Sequence, residues 1–144
     1  MRMMTLLATT ALLCVGCGKS DTVPYEKPVF PVSGGVNFKG KPIKDASIRL
    51  HPISTTPDEM VVTPRGVADS GGRFDLTTYR KGDGAPSGEY QVSVSWVGPL
   101  DGLDEEEEDR LRERLPRKYT RPESSGITVS ISEGMNELPE ISLN

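Results

Sequence analysis

From residue 29 onward the apolar residues of this chain recur at every second position, and that spacing restricts the fold more than any other property of the sequence. The runs are Val32, Gly34, Val36, Phe38; Ala46, Ile48, Leu50; Phe74, Leu76; Tyr90, Val92, Val94, Trp96; Ile127, Val129, Ile131; and Ile141, Leu143. Alternate side chains of an extended strand point to opposite faces, so each run offers one face to a core. Polar residues such as Gln91, Ser93 and Ser95 fill the gaps and leave the other face to water, as in many antiparallel sheets. Turn sequences separate the runs: Lys39-Gly40-Lys41-Pro42, Asp69-Ser70-Gly71-Gly72, Gly82-Asp83-Gly84, Pro86-Ser87-Gly88 and Glu133-Gly134-Met135-Asn136. Their Gly and Asn residues supply the positive φ of tight turns. A further strand is expected around Met60 to Ala68. The count is then about seven, which predicts an all-β, antiparallel two-sheet sandwich.

Composition agrees with short strands joined by many turns. The chain of 144 residues holds 15 Gly and 12 Pro, with 35% hydrophobic and 26% charged residues, enough for one core and no more. One segment breaks the alternation. Leu103 to Leu115 crowds carboxylates into its first half and arginines into its second, as the helix dipole favours, and stops at Pro116. It is expected to form a short helical insertion over 103–115, with Glu106 to Arg110 and Glu108 to Arg112 as i,i+4 pairs and with Leu111 and Leu115 docked on the sandwich.

The first 16 residues have the grammar of an export signal: Arg2 as the one charge, an apolar run from Met3 to Val15, then Gly16. The run is shorter than the roughly 20 apolar residues a spanning helix needs. Removal of residues 1–16 leaves a net charge of −5, which argues against a nucleic-acid partner. Leu13-Cys14-Val15-Gly16-Cys17 resembles the lipobox of bacterial lipoproteins, in which a small residue precedes a cysteine that is acylated, by palmitate or similar chains, and becomes residue one. Cys14 stands where that motif usually has leucine. The resemblance implies lipidation at Cys17, an exported chain anchored to the cell membrane or outer membrane and facing periplasm or exterior, and the membrane as a partner. Gly18 is not the Asp that retains some lipoproteins at the inner membrane, which leaves outer-membrane placement open. An ordinary export signal with two incidental cysteines, or a Cys14/Cys17 bridge or metal pair, are the other readings. Residues 17–28 then form the lipidated cysteine and a tether, and 29–144 the sandwich.

Three patterns coincide within that sandwich: Val32-x-Gly34-x-Val36 with Gly40-x-Pro42 and Ala46-x-Ile48-x-Leu50; Ala68-Asp69-x-x-Gly72-x-Phe74-x-Leu76; and Gly88-x-Tyr90-x-Val92-x-Val94. Together they resemble the carboxypeptidase regulatory-like domain, a transthyretin-like (prealbumin-like, Ig-like) β-sandwich, over about Val29 to Trp96. The segment from Pro116 to Asn136 is similar to the closing part of small secreted lipoproteins of planctomycete type. Each piece also has a physical role of its own. Gly40 and Pro42 close a hairpin, Gly72 permits the turn before Phe74, and Tyr90 is placed to bury its ring and bond its hydroxyl to backbone.

Chemistry is sparse. The one histidine, His51, precedes Pro52 at a strand end, where a half-exposed structural residue and a catalytic base are the two readings. There is no Gly-x-Ser-x-Gly elbow, and no spacing of His, Cys and Asp suits zinc. The acidic run Asp104 to Asp109 lacks calcium-loop spacing and reads as a solvated helix face, with weak cation binding as the alternative. The hydroxyisourate hydrolases of the transthyretin-like fold rely on several histidines and a C-terminal Tyr-Arg-Gly-Ser. This chain ends Glu140-Ile-Ser-Leu-Asn144, so that activity is not carried over. No catalytic residue, metal ligand or cofactor is assigned. The expected role is a non-catalytic binding or structural module with an envelope protein or glycan as partner, and the alternative is a hydrolase or metal-dependent enzyme with an unrecognised site.

Overall fold

The computed structural model describes residues 26–56 and 60–144. The export signal expected at 1–16, the expected lipidation site Cys17 and most of the expected tether lie outside them. Within the described residues the chain is an all-β sandwich of two sheets. The first sheet is built on β1 (Val32–Phe38), which pairs antiparallel with β2 (Lys41–Pro42) and β5 (Arg73–Asp75). The second runs in the order β4 (Arg65–Val67), β3 (Ser47–Pro52), β6 (Gly88–Ser95), β7 (Thr128–Ile131), antiparallel throughout.

Two closing strands, β8 (Asn136–Glu137) and β9 (Ile141–Leu143), return to the first sheet and run parallel to β1. Direction explains this departure from a purely antiparallel sandwich. The chain crosses between sheets in the turn after β7, at the end where β1 begins, and so re-enters beside β1 with the same heading. The seven expected strands are all present, and β2 and β8 add two short ones.

The alternating positions meet between the sheets as the period requires. Val32, Val36, Phe74, Leu76, Ile141 and Leu143 face Ile48, Leu50, Tyr90, Val92, Val94, Val129 and Ile131, all of them buried. Tyr90 hides its ring and donates its hydroxyl to the Pro86 carbonyl at 2.9 Å, so the ring is buried with its polar end satisfied. On one side the sheets are stitched together where Arg65 and Thr77 exchange backbone bonds of 2.9 and 2.7 Å.

Two expected elements are present but shorter than the segments that announced them. The strand expected around Met60 to Ala68 is confined to Arg65–Val67. Pro64 has no N–H for a ladder and only accepts, from Leu50 N at 2.8 Å, while Met60 and Val61 stand exposed. The helix over 103–115 is confined to α1 (Glu105–Asp109), capped by Asp104, whose side chain accepts from Glu107 N while Glu107 reaches back to Asp104 N.

Tertiary bonding ends that helix. The Glu113 carboxylate accepts from Trp96 N, Ser95 Oγ and Leu115 N, and Arg114 N donates to the Trp96 carbonyl. A helix continued to residue 115 would turn these groups away from β6. Glu106 and Arg110 pair as expected, but Arg112 donates to the carbonyls of Arg110 and Leu111 instead of meeting Glu108. Leu115 docks in the core, and Leu111 is half-buried. A 3₁₀ turn (Arg117–Thr120) and α2 (Pro122–Ser125) then wrap over β6, burying Tyr119, whose hydroxyl accepts from Asn144 N at 3.1 Å.

Candidate functional site

The outward face of β3 and β6 carries what chemistry the described residues bring together. Period two turns Ser47, Arg49 and His51 outward on β3, and Gln91, Ser93 and Ser95 outward on β6. The register sets Arg49 opposite Ser93 and His51 opposite Gln91. Glu113 and the 3₁₀ turn, with Arg117 and Thr120, close over this face and leave a groove of about 520 Å³. The wrapping segment makes a groove of what the sequence suggests is an open, wet sheet face.

Ser93 lies at the floor, 7% exposed, and its Oγ shares a 2.9 Å hydrogen bond with His51 Nε2. Which atom donates depends on the ring tautomer. Burial holds the His51 imidazole below its ordinary 6.5, the Arg49 guanidinium lowers it further, and Glu123 of α2 pulls the other way. Burial thus favours the uncharged ring.

A neutral imidazole on a serine hydroxyl is the first half of a nucleophilic pair. The backbone bears on the second half. Leu50 N donates to Pro64 O and Val92 N to Ile127 O, so those residues face away from each other's strand. Ladder alternation then makes Arg49 and Ser93 the pair that exchanges bonds. The Ser93 amide is committed to β3, and this amide does not serve as an oxyanion donor. The Glu113 carboxylate is likewise occupied by its three donors.

What remains on offer is donors: two guanidinium groups from Arg49 and Arg117, and the hydroxyl of Ser47, since Ser95 Oγ donates to Glu113 and Thr120 Oγ1 to the Arg117 carbonyl. Such a surface suits a ligand rich in acceptor oxygens. A second cavity, about 580 Å³, lies beside the stitched edge between Arg65, Asp75, Tyr79 and Lys81 and mixes both signs of charge. Asp104 and Glu107 of the acidic run are turned back onto their own backbone. Among the described residues no group of three or more His, Cys, Asp or Glu is placed to hold a metal ion.

His51 gives a direct check on this environment, because it is the one histidine in the chain. Its folded pKa is below the unfolded value, so the unfolded state binds the proton more tightly. The fold therefore loses stability as pH falls from about 6.5 through the folded value, and His51 imposes no cost above that window. The ring C2 proton is expected to titrate below 6.5 by NMR, and His51→Gln to flatten stability across the same window. An ordinary midpoint with unchanged pH dependence would contradict the burial of the ring.

No known family's sequence pattern matches the chain, and no curated protein matches it. Among solved structures it is similar to a DUF3823 family protein from Parabacteroides merdae ATCC 43184, at 11% identity and a TM-score of 0.44. The similarity covers 83% of this chain and 47% of that one, so the chain spans about half the length of the solved protein.

Proposed function

We propose that this chain is an exported lipoprotein of the cell envelope, anchored through an acylated Cys17, whose sandwich is a non-catalytic binding module for glycan or protein. The finer assignment to the transthyretin-like, carboxypeptidase regulatory-like domains is part of the same reading and rests on the patterns of residues 32–50, 68–76 and 88–94. One observation carries the binding reading: the groove over β3 and β6 presents donors from Arg49, Arg117 and Ser47, while the Ser93 amide is held in the ladder. Acceptor-rich ligands such as acidic sugars fit that inventory. The contact of His51 with Ser93 favours the other reading, a hydrolase.

Two experiments separate these. Expression of the full-length chain in a bacterium should give a mature mass that starts at Cys17 and includes acyl groups, and Cys17→Ser should lose them. An unlipidated wild-type mass refutes the anchor. For the groove, uronic-acid oligosaccharides titrated into the protein should move the His51 ring resonance, and Arg49→Ala should abolish the shift. Ester hydrolysis that disappears in Ser93→Ala would establish the hydrolase instead.

A further inference from the structure

The register places both the first described residues and four of the six exposed large hydrophobics among the described residues at one end of the sandwich. β1 begins there, because Phe30 bridges Ala85 just ahead of β6, with bonds of 2.9 and 3.0 Å. Glu26 pairs with Arg80, and Lys27 N donates to the Tyr79 hydroxyl at 3.0 Å, so the lead-in to β1 is pinned to the loop between β5 and β6. β3 ends at the same place, since Pro52 pairs with Tyr90, and β7 ends there too, since Ile131 pairs with Gly88. The loops after β3 and β7 therefore flank the point where the tether arrives.

Those loops display apolar residues to solvent. Among the described residues the exposed large hydrophobics are Ile53, Met60, Val61, Val67, Leu100 and Met135, and four of them stand on these two loops. Met135 is the extreme case at 90% exposure. It is held out by a built turn: Asn136 Oδ1 accepts from Ser132 N, and its Nδ2 donates to the carbonyls of Ser132 and Gly134, all at 2.9 Å. Ile53 is fixed at the root of its loop by a 3.0 Å bond to the Glu89 carbonyl. The acidic α1 follows β6 at the opposite end.

We propose that this end of the sandwich rests on the lipid surface, with Met135, Ile53, Met60 and Val61 seated in the interface; the proposal rests on the anchor reading of Cys17. From Cys17 to Glu26 the chain reaches at most about 32 Å fully extended, on the order of a small domain's diameter. The pinned end therefore meets the bilayer with tether to spare, whereas the far end would need most of that length. The same orientation points the carboxylates of Asp104 to Asp109 away from anionic headgroups, which repel them.

The test uses the full-length chain, lipidated in a bacterium and reconstituted into phosphatidylethanolamine and phosphatidylglycerol vesicles that carry nitroxide-labelled lipid. Met135→Cys and Asp109→Cys each supply one site for a fluorophore, because Cys14 leaves with the signal and the Cys17 sulfur is acylated. The proposal expects several-fold stronger lipid quenching at position 135 than at 109. Equal quenching on protein whose mass includes acyl groups overturns the proposal and leaves the anchor intact. Self-quenching between labelled copies at position 135 without lipid quenching also overturns it, by giving the surface to a second copy. A mature mass without acyl groups overturns the anchor and the proposal together.

Discussion

Gly84→Ala is expected to cost about 3–5 kcal/mol, toward the upper limit of what single substitutions do. The residue sits at φ +95, and a Cβ there would lie 1.7 Å from the Phe30 carbonyl oxygen and 2.4 Å from its carbon. No side-chain rotation relieves that contact, because both partners are backbone. The lead-in strand must move away, breaking the two bonds between Phe30 and Ala85 at about 1 kcal/mol each. The left-handed backbone adds about 1–2 kcal/mol for any L-residue. Gly82→Ala separates the two contributions, since Gly82 has φ +72 with nothing within 4 Å of its Cβ position. Urea unfolding should therefore show a loss of only about 1–2 kcal/mol for Gly82→Ala, and roughly two to three times that for Gly84→Ala. Equal losses would mean that the close approach of the lead-in to Gly84 does not exist in solution.

That pair also shows what the sequence did and did not reveal. Gly82-Asp83-Gly84 is visible as a turn, but only the Phe30 to Ala85 bridge distinguishes a glycine that needs empty space from one that needs only a positive φ. The alternating runs placed the strands because burial of one face is a local, periodic requirement. The segment after Leu103 misled for the opposite reason. Its charges favour a helix locally, and the contacts of Glu113 and Arg114 with Trp96 that end it come from the end of the preceding strand, outside the reach of a helix's own i,i+4 pattern. The groove was half legible. His51 and Ser93 each fall on the wet face of an expected strand, yet pairing of β3 with β6 is what brings Nε2 to Oγ. Nothing in Arg117 to Ser125 announces a cover for that face, because its anchor is the contact of Tyr119 with Asn144.

Gly34 and Phe74 are expected to be energetically coupled by about 1 kcal/mol or more, near the middle of the range for residues in contact. They lie directly opposite each other on β1 and β5, and the ring of Phe74 occupies the space a Gly34 side chain would need, with Cζ 2.6 Å from the Cβ position. Gly66 on β4 leaves room on the other flank, where a Cβ would come within 3.2 Å of the same ring. One buried phenyl thus rests on two bare backbones, which explains the glycine inside the first alternating run. Gly34→Ala alone must displace a ring that is 3% exposed, at about 1–3 kcal/mol. Phe74→Leu alone loses the ring's packing, at a similar or larger cost. In the double variant the smaller side chain clears the Cβ position. Alanine then gains the roughly 0.5–1 kcal/mol by which it outranks glycine inside a strand. The double variant should accordingly be more stable than the sum of the single losses predicts. Four urea curves with a common m-value measure the difference. Additivity within about 0.3–0.5 kcal/mol, the behaviour of distant sites, would show that the ring does not lie over Gly34.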